Sequence, residues 1–527
     1  MKAARQIRLG AIFFLGLLVV LVGCFPAGAG GGGGSPAEAT IETVSLSLPT
    51  QDFRSILTQF PPSDYRYPYH QVSNPGTQIF QSVAWEAVVL ENVYLRVTAV
   101  PSLGGRILKL ENLTTGSNEF FENPHGIKLN GWGRFAWWSA TGGVEFMLPY
   151  DEHGGMFYTD YAHASNPDPG RGYRTEDRAD GVALIMAFSE SSALGLTRWR
   201  HEIELFLPDA AAFLRVGQRV VNQDGAAHDL MYWSNAMISP GPGNMRHAAA
   251  ATLNHRVIFD KRVDSLYNHN DNAGESFWGN PWDTLSWPVH GGSLHGGGIQ
   301  SLDISLISNW YTYDLKYAGL FAPSSVRTAY LGQYNLTADE GVVKLYPEEI
   351  LPGTATGSKY WHWGSFSASA SPSFADGGAT YAEIMTGAAT VFQEPADEPP
   401  TAHPTGETYM VSVAGGGELA WDEYYLAPQG IGDCEYADGE AAVSLAAEVE
   451  GAGYRVTLGL YPLREVRNAT VKIFDQGTPI LVENGVDFGP GDSPGPLYRS
   501  FSVAGLSDPA ALSLSVASDG WSYAYSD

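Results

Sequence analysis

The chain reads as an all-β protein, and three observations carry that reading. Apolar and polar residues alternate with a period of two in segment after segment. Glycines and prolines, 61 and 32 of them in 527 residues, break those segments at short intervals, as tight turns require. No long amphipathic helix follows the N-terminal segment. In "NVYLRVTAV" Val93, Leu95 and Val97 alternate with Tyr94, Arg96 and Thr98. "HEIELFLP" repeats the pattern with Ile203, Leu205 and Leu207, and "YRVTLGLYP" with Tyr454, Val456, Leu458 and Leu460. A chain this long needs more than one core, so two or three domains are expected.

The N-terminus sets the expected compartment. Lys2, Arg5 and Arg8 precede the apolar run "AIFFLGLLVVLV", residues 11–22, which is short for a membrane span and has the flanks of an export signal. It ends in Leu21-Val22-Gly23-Cys24, the pattern of a bacterial lipobox, so lipidation at Cys24 is expected after removal of residues 1–23. A plain secretory signal or an uncleaved anchor is the alternative. Residues 24–36 form a Gly-rich tether, and 37–75 a lead-in to the main domain. An extracytoplasmic protein anchored to a bacterial membrane by lipid is the expectation. Only Cys24 and Cys434 occur, so no intramolecular disulfide is expected and Cys434 reads as a small buried apolar residue.

Composition narrows the partners. With 57 acids against 30 bases the formal charge is −27, which repels phosphate backbones and excludes nucleic acid as a favoured partner. Two boundaries appear further along. "EPADEPPTAHPTGE", residues 394–407, reads as a crossover loop, and beyond Trp421 the only tryptophan is Trp521. Residues 76–435 therefore form the main domain, and 436–527, with short runs such as "ATVKIF" and "ALSLSVAS", a small immunoglobulin-like sandwich.

Aromatic and acidic residues supply the candidate site. Trp137, Trp138, Trp233, Trp310 and Trp361 belong to a dense set of indoles in the main domain, and indole faces match the C–H faces of sugars. Any single tryptophan is more often core filler; the density, and loop-like stretches such as "ESFWGNPWDTLSWPVHGG", favour binding. Glu145 follows Gly142-Gly143 between Val144 and Phe146, where desolvation suits a carboxyl to acid–base work; solvent exposure or pairing with Arg134 is the bland alternative. Glu383 in "ATYAEIMTGAATVF" repeats the pattern, and His153 in "DEHGG" is a candidate acid or hydroxyl donor. Two carboxylates across a sugar pocket are what glycoside hydrolysis needs. Asn235 and His362 are candidate hydroxyl contacts. "YNHNDNAGE" does not have EF-hand spacing, and His290 and His295 lack a third zinc ligand, so neither metal nor cofactor is expected.

The stretch "ENVYLRVTAVPSLGGRILKLENLTTGSNEFFENP", residues 91–124, resembles the opening of the domain of unknown function 5107 family. The resemblance continues through "TGGVEFMLP", "YWSNAMI", "SKYWHWG", "YAEIMTGAATVF" and "WDEYYLAPQGIG", spanning about residues 65–435. Phe146 and Met147 depart from it, standing where the family usually has Trp and Asn. The resemblance implies a galactose mutarotase-like antiparallel β-supersandwich that binds carbohydrate on a concave sheet face. Glu145, Asn235, His362 and Glu383 fall within its motifs, and His153 less directly. The expected function is therefore an exported carbohydrate-active protein, glycosidase-like, acting on a neutral oligosaccharide with Glu145 and Glu383 as its pair. A non-catalytic glycan-binding lipoprotein and an aldose epimerase are the alternatives, and the oligomeric state is not legible.

Overall fold

The computed structural model describes residues 38–52, 57–64, 67, 70–72, 79–130, 138–139, 141–148, 172–189, 197–230, 232–242, 254–268, 277–280, 282–294, 298–313, 315, 318–363, 381–388 and 411–526. Cys24, Trp137 and His153 lie outside them, and of Trp138 only the backbone is described. Two large antiparallel sheets face each other, as the expected supersandwich requires.

The larger sheet has twelve strands among the described residues. Its path runs Thr40–Gln51, Phe80–Glu91, Leu95–Val100, Arg106–Asn112, Gly143–Met147, Trp233–Ile238, Tyr381–Gly387, Gly357–Trp363, Ala318–Phe321, Ser265–Asn268 and Thr284–Ser286, with Ser117–Asn118 beside the fourth. The edge strand Thr40–Gln51 comes from the lead-in and pairs along its whole length with Phe80–Glu91. The second sheet has eight strands, in the order Gly172–Arg178, Gly181–Ser189, Trp199–Pro208, Phe213–Asn222, Glu418–Leu426, Glu340–Leu345, Tyr330–Asn335 and His255–Phe259.

Alternation decides what lies between them. Val144 and Phe146, Ala236 and Ile238, and Ala382 and Ile384 of the large sheet share one apolar cluster with Leu205, Val216, Val342 and Tyr425 of the second. Pairing is tight at the centre because Gly143 carries no side chain: a Cβ there would come within 2.0 Å of the Ile107 carbonyl oxygen.

The core also holds polar locks. Lys344 and Glu423 of the second sheet form a fully buried ion pair, 3.3 Å apart. Ser234 Oγ donates to Glu423 Oε2 (2.7 Å) and Thr386 Oγ1 to Glu423 Oε1 (3.0 Å), so two central strands of the large sheet are held from behind. Burial pulls the Lys344 ammonium down to about 8, with Glu423 opposing.

Residues 436–526 form two four-stranded sheets around a core of their own, including Val443, Leu458, Val471, Ile473 and Leu514. A third apolar cluster joins this sandwich to the outer face of the eight-stranded sheet, bringing Tyr330, Tyr334 and Val343 against Ala442, Tyr461 and Leu463. Cys434 is buried in that seam, and burial pushes its thiol up.

Three histidines sit between the large sheets. His201 Nε2 donates to Gln218 Oε1 (2.6 Å), Gln333 Nε2 donates to His255 Nδ1 (2.5 Å), and His362 packs on Trp310 at 5.5 Å between ring centroids. Burial pulls His201 and His255 down to about 4 and His362 to about 3, from 6.5. Between pH 6.5 and about 4 the unfolded chain therefore binds three protons that the native imidazoles refuse. Glu119 acts in the opposite sense, because burial and the neighbouring Glu340 raise its carboxyl well above 4.5 and the native state keeps that proton. The balance favours the unfolded state as pH falls. Urea unfolding should show stability dropping by about 2 kcal/mol per pH unit near pH 5.5; a flat profile there would show the imidazoles to be charged or hydrated in the native state.

Candidate functional site

The face of the large sheet turned away from the inter-sheet core carries the site. On adjacent strands, residues opposite the core positions are Glu145 and Met147, then Trp233, Asn235 and Met237, then Tyr381, Glu383 and Met385, then Lys359 and Trp361. Register places Glu145 beside Asn235, Asn235 beside Met385, Met237 beside Glu383, and Glu383 beside Trp361. Glu145 and Glu383 thus share one face, two strands apart and staggered by two residues. That geometry sets their Cα atoms roughly 12 Å apart.

Glu145 is 2% exposed and fully engaged. Its Oε2 accepts from Arg106 Nη2 at 2.7 Å, and its Oε1 accepts from Asn235 Nδ2 at 3.1 Å. Arg106, itself buried, also donates from Nη1 to the Gly142 carbonyl (2.7 Å). The partner is therefore Arg106; Arg134 lies outside the described residues. Both charged residues follow a Gly-Gly turn with positive φ, Gly104-Gly105 before Arg106 and Gly142-Gly143 in the approach to Glu145. The two turns deliver Arg106 to the start of one strand and Glu145 to the middle of the adjacent one, where Ile107 and Val144 pair.

Glu383 is buried among aromatic neighbours. Tyr381, two residues away on the same face, stacks on Phe121 at 4.4 Å and 21°. The Lys359 ammonium lies 4.8 Å from the Trp361 ring centroid and 5.2 Å from that of Phe321. Trp282 packs on the far side of this group, 5.4 Å from Phe321. Acids, amide, guanidinium, ammonium and indoles thus share one face, and all of them are buried: Arg106, Trp233, Asn235, Lys359, Tyr381 and Glu383 are 0% exposed, Glu145 2% and Trp361 5%.

The structure brings Glu145, Glu383, Asn235, Trp233 and Trp361 together on this face. It does not bring His362 or Trp310 there. His362 alternates with Trp361, so its ring points into the inter-sheet core. Trp310 lies on the short helix Ile307–Thr312 in the same core, where its Nε1 donates to the Ile304 carbonyl (3.0 Å). Both are packing residues. Arg106, Lys359, Tyr381 and Phe321 are added to the face; Arg106 could have been suspected from the parallel Gly-Gly settings of "LGGRI" and "TGGVE".

Fold and face together define an all-β supersandwich protein with a polar and aromatic face on its larger sheet. Residues 63–277 match the family described as Domain of unknown function (DUF5107). Among solved structures, a TPR-domain containing protein from Parabacteroides distasonis is similar at TM-score 0.51 and 16% identity, over 75% of this chain and 56% of that one. The chain thus spans little more than half the length of that protein, and the likeness is one of fold. A putative aldose 1-epimerase from Klebsiella pneumoniae (TM-score 0.42, 13% identity, 74% of this chain and 92% of that one) is more distant. So is a galactose mutarotase-like protein from Lactobacillus casei (TM-score 0.41, 10% identity, 65% and 99%).

Breaking the buried pair should be costly. Arg106→Met leaves the Glu145 carboxylate desolvated without its guanidinium and should lower stability by about 3–5 kcal/mol in chemical denaturation. Arg106→Met combined with Glu145→Leu should cost less than Arg106→Met alone. Additive losses would show that the two side chains are not coupled.

Proposed function

We propose that the protein is an exported, lipid-anchored, carbohydrate-active protein that takes a neutral oligosaccharide at the buried face of its larger sheet turned away from the inter-sheet core, once the segments covering that face open. One observation carries this: Glu145, Asn235, Glu383 and Trp361 occupy that face on four neighbouring strands, beside further aromatic rings. A pyranose presents C–H faces to indoles and hydroxyls to fixed donors and acceptors, and this row offers both.

Within this reading the two acids differ in task. Both Glu145 oxygens are engaged, by Arg106 and Asn235, so that group is assigned to positioning sugar hydroxyls or water, and Glu383, in register with Met237 and Trp361, is assigned to proton transfer. Glu145 is held between Arg106 and Asn235, which lie on the two strands that flank it. The same locked pair favours, as a second reading, a glycan-binding protein without turnover.

Screening neutral oligosaccharides by tryptophan fluorescence and by product formation separates the readings. Glu383→Gln should lower turnover about a hundredfold or more while changing the sugar Kd less than threefold, whereas Glu145→Gln should weaken both. Saturable quenching with no product selects the binding protein; turnover untouched by both substitutions ends the assignment. Export and anchoring rest on the residues preceding Cys24. Labelled palmitate should enter the wild-type chain in a bacterial host and be lost in Cys24→Ala, and equal labelling of both would refute a lipid anchor there.

A further inference from the structure

The outer face of the eight-stranded sheet is used in two ways. Over Glu340–Leu345, Tyr330–Asn335 and His255–Phe259 it is sealed by the C-terminal sandwich. Over the other strands it is open and carries a lattice of ion pairs. Arg219 bridges Glu202 (3.0 Å) and Glu418 (2.6 Å), Arg178 holds Glu204 (2.7 Å), and Arg215 reaches Asp422 (3.7 Å). A trough runs between the two halves. Its floor is low because Gly217 and Ala420 bring almost no side chain to adjacent strands, where Gly217 pairs with Asp422 and Ala420 with Arg219. A depression of about 420 Å³ lies over Gly217. A second, of about 790 Å³, continues past Tyr424 to Tyr436 at the edge of the sandwich. Ala420, Trp421 and Asp422 line both, so the two form one path.

The chemistry of the walls selects the occupant. Glu202, Glu204 and Asp422 on one side, and Asp260 with Arg262 (2.6 Å) at the far end, are each matched by a guanidinium. Glu348 and Glu349 on the same wall are paired with Arg262 and Arg327, and Asp438 lies there with Lys261, so the acids of the trough are largely matched within the protein and hold little free charge for an ionic polymer. What it offers is alternating donors and acceptors held rigid by pairing, with the half-buried ring of Tyr424 as a stacking platform, while Tyr436, under the Lys261 ammonium at 5.5 Å, closes the far end. The length suits a chain rather than a single sugar.

We propose that this trough is a second carbohydrate site, taking an extended segment of neutral polysaccharide on the opposite side of the sandwich from the Glu383 face. It would hold polymer at the protein independently of whether the Glu383 face is catalytic. The proposal goes beyond the reading of that face and does not rest on it.

Affinity electrophoresis of the full chain through gels containing galactomannan, hydroxyethylcellulose or pullulan tests it. At least one polymer should retard the wild type. Ala420→Trp, which fills the floor, should weaken that retention about tenfold while leaving the fluorescence response to short oligosaccharides unchanged. Tyr424→Ala should act in the same direction and serves as the test if Ala420→Trp lowers the thermal midpoint. Trp361→Ala, on the other face, should leave polymer retention intact. The proposal is overturned if no polymer retards the wild type, or if both trough variants keep their affinity within about twofold. It is also overturned if sedimentation shows that Ala420→Trp instead disrupts a dimer, which would make the trough a contact between copies.

Discussion

The central strands of the larger sheet are buried on both faces, and the rest of the structure answers to that constraint. Gly143–Met147, Trp233–Ile238 and Tyr381–Gly387 are buried at every position. Each polar side chain there must therefore find a partner or destabilise the fold. The strands solve this separately on each side. Toward the second sheet, Ser234 and Thr386 bind Glu423, which is itself paired with Lys344. Toward the other face, Glu145 accepts from both Arg106 and Asn235, which leaves the Asn235 Oδ1 buried without a partner among the described residues.

That double accounting makes the candidate site rigid. Asn235 is fixed by its bond to Glu145 on one side, while the neighbouring Ser234 is tied into the inter-sheet lock. The face bearing Glu383 is thus held by backbone pairing, by the core and by charge at once. Preorganised donors and acceptors of this kind recognise a ligand without first being ordered, which is where polar recognition otherwise loses affinity. Two acids that look alike in sequence thus have different settings: Glu145 is engaged at both oxygens by Arg106 and Asn235, and Glu383 pairs in register with Trp361.

Much of this was legible in the residues, and the failures are instructive. Period-two alternation in "HEIELFLP" and "YRVTLGLYP" marked strands whose inward residues are those of the cores, Ile203, Leu205, Val456 and Leu458 among them. The settings of Glu145 and Glu383 in apolar strands were visible, and register brings them to one face. What alternation does not reveal is which face is which when both are buried. In Trp361-His362-Trp363 a shift of one residue decides between site and core, and His362 falls on the core side. Trp310 was misplaced for a related reason: a large buried indole and a binding indole have the same signature until the neighbouring layer is known. Arg106 was missed because an arginine after a turn ordinarily faces solvent, and only the strand pairing shows it meeting Glu145.

The central claim is that the face bearing Glu145, Asn235, Glu383 and Trp361 receives a sugar. The most direct measurement is a crystal structure of the protein soaked with a neutral oligosaccharide selected by binding. The account predicts a pyranose ring stacked near Trp361, with hydroxyls reaching the Glu145–Asn235 group and Glu383. Sugar density confined to the eight-stranded sheet, with the Glu383 face filled by the protein's own side chains, would contradict it.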